Sequence, residues 1–197
     1  MREIRRKKPG KRDVVVGIAA SGRTPFTVAA VEFARKAGAR TVAVTCNPGS
    51  PLEAAAELAI VVETGPEVVA GSTRMKAGTA EKMVLNILTT GAMVRLGYVY
   101  GNLMVNLHQK NFKLTARAVT IVQNALGIEH DEAQATLRRA GGDVPVAIVM
   151  GKAGATRKAA QKALKRAKGH VRKAIDDLQP SLYSNKGGSK HRRAAQR

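Results

Sequence analysis

Short β-branched runs alternate with helical patterns over the first third of the chain. Val14 to Ile18, Thr41 to Thr45 and Ile60 to Glu63 read as strands. Between the first two, Pro25 to Ala37 has helical composition and stops at Gly38. The turn cluster Asn47-Pro48-Gly49-Ser50-Pro51 then introduces a further helical stretch, Leu52 to Ala59. Strands joined by helical crossovers must run parallel, so the pattern predicts an α/β fold with a three-stranded parallel sheet flanked by helices. Beyond Glu63 the expectation is helical. Met83, Val84, Ile87, Leu88 and Val94 recur at helical spacing between Arg74 and Leu96, and a second helical run passes through Leu103, Leu107, Leu114 and Val119.

An internal repeat follows. Residues 131–148 (DEAQATLRRAGGDVPVAI) match 158–175 (KAAQKALKRAKGHVRKAI) at an offset of 27 positions. Each copy reads as helix, glycine turn, helix. Leu137 or Leu164 and Val144 or Val171 fall where a helical hairpin buries them, and Gly142 or Gly169 permits the turn. After Pro180 the tail SLYSNKGGSKHRRAAQR has no apolar periodicity and is expected to be disordered. The expected organisation is a basic segment over 1–12, a sheet-bearing domain over 13–126, helical hairpins over 127–178 and a basic tail over 179–197.

Composition narrows the function classes. A chain of 197 residues that is 44% hydrophobic can bury a core. Its formal charge of +20 comes mainly from Lys and Arg crowded between Met1 and Arg12 and between Lys152 and Arg197. Three Tyr, three Phe and no Trp leave little for base stacking, so any contact with nucleic acid is expected to be weak and non-specific. The basic start followed by Val14 to Ala20 mimics a secretory signal, but the apolar run is short and breaks at Ser21-Gly22-Arg23. Cys46 is the only cysteine, which excludes an intrachain disulfide and a Cys-based metal cluster. No stretch approaches the roughly 20 apolar residues of a membrane span. A cytoplasmic chain with no membrane partner is expected.

Two segments carry candidate chemistry. Gly17-Ile-Ala-Ala-Ser-Gly-Arg-Thr24 follows a strand and precedes a helix, so its amides and the hydroxyls of Ser21 and Thr24 can converge on an anion, most naturally a phosphate. The alternative is that Ser21 caps the helix and Gly22 only allows a turn. The spacing nearly satisfies the nucleotide P-loop, but Arg23 stands where lysine is required, and no later strand ends in an aspartate for magnesium. In the second segment, Gly65-Pro-Glu-Val-Val-Ala-Gly-Ser-Thr-Arg-Met-Lys-Ala-Gly-Thr79, Ser72 and Thr73 can cap the next helix or bind sugar hydroxyls. Glu67 reads equally as a capping carboxylate, and Lys76 as a surface cation.

Taken in order, Ala19-Ala-Ser-Gly-Arg-Thr-Pro25, Cys46-Asn-Pro-Gly-Ser-Pro51, the Gly65 to Thr79 block and Tyr100-Gly-Asn-Leu-Met-Val105 resemble the C-terminal half of N-acetylmuramic acid 6-phosphate etherases, from about Asp13 to Asp177. The Gly65 to Lys76 block also resembles a signature these etherases share with the glucokinase regulatory protein. The resemblance implies a SIS (sugar isomerase) domain that binds phosphorylated sugars, usually as a homodimer. It places Ser21, Gly22, Arg23 and Thr24 at the substrate phosphate and Glu67, Ser72, Thr73 and Lys76 near the sugar. The activity implied is elimination of D-lactate from C3 of the opened sugar, followed by water addition to give N-acetylglucosamine 6-phosphate, with no cofactor and no metal. The family's two acid–base glutamates precede the segment matching Asp13, so the expectation is a truncated chain whose catalytic residues are unassigned. A homo-oligomer or a missing N-terminal half is the expected partner. A non-catalytic amino-sugar-phosphate-binding module is the alternative.

Overall fold

A computed structural model describes residues 2–107 and 111–179. Its two compact units divide between Thr90 and Gly91. The first opens with a short helix, α1 (Arg2–Lys7), in the segment expected only to be basic. A three-stranded parallel sheet follows in the order β1 (Val14–Ile18), β2 (Arg40–Thr45), β3 (Leu58–Val61), with Val14 opposite Arg40 and Val42 opposite Leu58. The crossovers are α2 (Pro25–Lys36) and α3 (Pro51–Ala55). Helix α4 (Lys76–Arg95) begins after the long irregular segment 62–75.

The central strand is the most buried, as parallel pairing on both sides requires: Thr41, Ala43, Val44 and Thr45 lose nearly all exposure. Val31 of α2 and Leu52 and Ala55 of α3 close on Ala43 to form the core of this unit. Among the described residues β1 pairs on one side only, and Val14 and Val16 remain 63% and 38% exposed along it. Helix α3 is shorter than its composition predicts. Ala56 turns extended, and the amide of Glu57 donates to Thr41 Oγ1 at 3.0 Å, which starts β3 at Leu58.

The second unit corrects the expectation of continuous helix beyond Glu63. Leu103 lies in a strand: β4 (Val99–Tyr100) and β5 (Leu103–Met104) form an antiparallel hairpin across Gly101-Asn102. Gly101 has φ +60°, and a Gly-Asn pair suits the two-residue turns whose twist matches a hairpin. The helix resumes as α5 (Phe112–Leu126), where Asn111 Oδ1 accepts from the amide of Leu114 at 2.9 Å. Helices α6 (His130–Arg139), α7 (Val144–Ala153), α8 (Arg157–Arg166) and α9 (Val171–Leu178) complete the unit.

The repeat is structural. Ala133 and Ala160, Leu137 and Leu164, Ala140 and Ala167, Val144 and Val171, and Ala147 and Ala174 are buried at equivalent positions of the two hairpins. Their α-hairpin turns match too: Gly142 and Gly169 take φ +82° and +87°, and the preceding Gly141 and Lys168 take +73° and +51°. Lys168 therefore holds a left-handed position that the first copy gives to glycine, at a cost of about 1–2 kcal/mol for an L-residue. The expected tail over 179–197 lies, apart from Gln179, outside the described residues. Lys168→Gly is expected to raise stability by about 0.5–1 kcal/mol, relief of the backbone strain exceeding the added chain entropy, whereas Gly169→Ala lowers it by about 1 kcal/mol. Chemical denaturation of the two variants beside the parent chain checks both signs.

Candidate functional site

The carboxyl ends of the three strands gather the candidate residues, the position where open parallel sheets present ligand-binding loops. The chain leaves β1 through Ala19, whose amide still donates to Val44 O at 3.1 Å. The carbonyl of Ala20 then accepts three donors from the end of β2: the amide of Cys46 at 2.9 Å, Thr45 Oγ1 at 3.2 Å and Asn47 Nδ2 at 3.2 Å. Gly22 closes the turn. Its amide donates to Ala19 O at 2.8 Å, its carbonyl accepts from Leu52 N at 3.0 Å, and its φ is +63°. A Cβ at this position would run into Ser50 and come within 2.8 Å of Thr45 Oγ1. Only glycine meets both constraints.

Helix α2 starts immediately after. Thr24, not Ser21, is the N-cap, and it makes no side-chain cap bond; Ser21 Oγ instead accepts from the amide of Arg23 at 3.3 Å. With Pro25 at the first helical position, the remaining amides of the opening turn lack intrahelical acceptors. Ser21 is half-buried, while Arg23 and Thr24 are exposed.

The second arm is organised by a carboxylate. Glu67 Oε2 and Oε1 accept from the amides of Lys76 and Ala77 at 3.1 and 3.0 Å, so Glu67 caps α4 from nine residues upstream. Those two backbone bonds hold its carboxyl below the usual range, against the opposing effect of burial. Lys76 Nζ donates to Pro66 O at 2.8 Å and tightens the same loop. Ser72 is half-buried and its amide donates to Val69 O at 3.0 Å; Thr73 is exposed, and its carbonyl accepts from Gly78 N at 3.1 Å.

Between the arms sits Cys46. Its amide holds the first loop, and its side chain is hydrogen-bonded to Thr64. Burial pushes the thiol up, the Glu81 carboxylate beside it does the same, the bond from Thr64 works the other way, and Glu67 adds to the rise. Cys46 thus bonds the first loop through its amide and feels the charge of Glu67 from the second arm. No hydrogen bond or ion pair joins residues 21–24 directly to Glu67, Ser72, Thr73 or Lys76 among the described residues.

Glu81 is the residue that sequence reasoning passed over. Its Oε1 is buried without a hydrogen-bond partner among the described residues, and burial pushes its carboxyl upward. No group of three or more His, Cys, Asp or Glu among the described residues is arranged to hold a metal ion.

With that geometry in hand, residues 9–91 match the SIS domain family. The chain carries a SIS domain. Over 149 residues it is 62% identical to an N-acetylmuramic acid 6-phosphate etherase of Symbiobacterium thermophilum, covering 76% of this chain and 49% of that protein. It is 52% identical over 169 residues to the etherase of Burkholderia lata, covering 86% of this chain and 56% of that one. It is 44% identical over 173 residues to etherase 2 of Bacillus licheniformis, at 88% and 58% coverage. Homology to the etherases is therefore strong, while the chain spans about half the length of these curated relatives. The matched SIS region contains the Gly22 turn, both arms and Glu81.

The two carboxylates respond to pH with opposite signs. Glu67 has a lowered pKa, so its contribution is present above the ordinary 4.5 and is lost as pH falls through the folded value. Glu81 has a raised pKa, so its contribution is full below 4.5 and is lost as pH rises through the folded value. Glu81→Gln is expected to stabilise the chain at neutral pH and to have little effect near pH 4; Glu67→Gln destabilises it at neutral pH, with a deficit that shrinks on acidification. Urea titrations at several pH values read both trends. Gly22→Ala should cost about 2 kcal/mol or more in the same assay.

Proposed function

We propose that this chain is the sugar-phosphate-binding part of an N-acetylmuramic acid 6-phosphate etherase. The observation that carries the reading is the Gly22 turn, pinned to β2 and opening directly into α2, in a chain 62% identical to such an enzyme. In this reading the substrate phosphate sits at the amino end of α2, where the unpaired amides and the helix dipole favour an anion. The Ser21 hydroxyl and the Gly22 backbone line it, and the exposed Arg23 and Thr24 close over it with a charge-assisted contact and a hydroxyl.

The sugar extends toward Cys46 and the second arm. Each oxygen of Glu67 holds one helix amide and keeps a lone pair that can accept from a sugar hydroxyl. Ser72 and Thr73 offer hydroxyls, and Lys76 supplies positive charge at the loop. The lowered pKa of Glu67 makes it a poor proton acceptor at neutral pH, which suits binding better than acid–base work. That same point favours the second reading, a module that binds an amino sugar phosphate without turning it over. Elimination of D-lactate requires a base at C2 and an acid at the departing oxygen, and the chain's own residues are not assigned to either role. The one-sided pairing of β1 supports association through that edge, with another copy or with further strands.

Calorimetry with N-acetylmuramic acid 6-phosphate and N-acetylglucosamine 6-phosphate tests the site. Saturable binding is expected, weakened about tenfold in Arg23→Ala and in Ser21→Ala, the loss of roughly 1.4 kcal/mol that one such contact supplies. Indifference to both sugar phosphates would overturn the proposal. Release of D-lactate by the chain decides for the etherase, and binding without release decides for the module.

A further inference from the structure

The two helical hairpins of the second unit form an internal control on surface charge. Five pairs of buried positions and the turns coincide, although α7 also buries Val146 and Val149 where α9 exposes Lys173 and Asp176. Their exteriors diverge. Residues 131–148 carry Asp131, Glu132 and Asp143 against Arg138 and Arg139, whereas 158–175 carry seven Lys or Arg and no acidic residue. All seven are exposed. Arg138 and Arg139 match Lys165 and Arg166, but at the positions of Lys158, Lys162 and Lys168 the first hairpin has Asp131, Ala135 and Gly141, so the shared core does not require a cation at those three positions.

Their placement is also one-sided. Along α8, Arg157, Lys158, Lys162, Lys165 and Arg166 occupy the helical arc opposite the buried Ala160, Ala163, Leu164 and Ala167. Lys158 and Lys162, and Lys162 and Arg166, stand four residues apart, where like charges repel. Neutralisation is sparse: among the described residues Arg166 pairs with Asp177 at 3.7 Å, and Arg172 lies over the Tyr100 ring at 5.6 Å. Lys158, Lys162, Lys165, Lys168 and Lys173 make no ion pair there.

The chemistry of the arc selects among polyanions. Between the cations lie only Ala159 and Gln161, with no large apolar side chain to enter a bilayer and no aromatic ring to stack on an unpaired base. What such a surface can contact is a regular array of phosphates. We propose that the exposed face of α8, which carries Lys158, Lys162 and Lys165 without an ion pair among the described residues, docks on the phosphate backbone of double-stranded nucleic acid without reading its sequence. Affinity then comes from counterion release, and for four to five neutralised phosphates the logarithm of the binding constant falls with the logarithm of salt concentration with a slope of about −4.

The test is fluorescence anisotropy of the full chain with two unrelated labelled DNA duplexes between 50 and 200 mM NaCl. Equal affinity for the two sequences and a slope near −4 are expected. The triple variant Lys158→Gln, Lys162→Gln, Lys165→Gln should bind at least tenfold more weakly at 50 mM NaCl and lose about 2.7 from the slope, with unchanged circular dichroism. A control variant, Lys7→Gln, Lys8→Gln, Lys11→Gln, removes equal charge elsewhere and should change binding less than threefold. Equal losses in the two variants would overturn the proposal, because the charge would then act without a defined surface. Tighter binding to vesicles of one-third anionic lipid than to duplex would overturn it in favour of a membrane.

Discussion

The Ala20 carbonyl is the point on which the candidate site depends. One oxygen accepts from the Cys46 amide, the Thr45 hydroxyl and the Asn47 side chain, and so fixes the loop after β1 to the end of β2. Because this anchor is mostly backbone and buried side chain, the loop is rigid before any ligand arrives, and little ordering entropy remains to be lost on binding. Gly22 then has no freedom of residue type: its left-handed φ and its approach to Ser50 both exclude a side chain. Ser50 in turn caps α3, so the same contact that shapes the Gly22 turn also starts the next crossover. Fold and site are here one set of hydrogen bonds.

The second arm rests on electrostatics instead. Glu67 holds α4 by its first two amides and is kept ionised by them, while Glu81, nearby through Cys46, lies where burial favours the neutral acid. The two carboxyls are thus pushed in opposite directions, Glu67 downward by its two backbone bonds and Glu81 upward by burial. Burial first, and then the Glu81 and Glu67 charges, push the Cys46 thiol up.

Much of this was legible in the sequence wherever the determining contacts are local. The β-branched runs marked β1, β2 and β3, and the repeat predicted Leu137, Leu164, Val144 and Val171 as interior positions, all of which are buried. The losses have a common cause, which is separation along the chain. Glu67 caps a helix nine and ten residues away, beyond the three-residue spacing by which capping boxes are recognised. Glu81 looks like one more exposed helical charge until the fold brings Cys46 beside it. The hairpin at Val99 to Met104 was hidden differently: its strands are two residues long, too short for period-two alternation to appear, and only the Gly101-Asn102 pair signals the turn.

Backbone amide shifts observed by NMR during titration with N-acetylglucosamine 6-phosphate, against the same sugar without its phosphate, test the central claim most directly. The account predicts saturable, phosphate-dependent shifts at Gly22, Arg23, Thr24, Phe26 and Thr27, with smaller changes at Lys76 and Ala77. Shifts that are identical for the two sugars, or that leave the Gly22 turn unmoved while other surfaces respond, would contradict it.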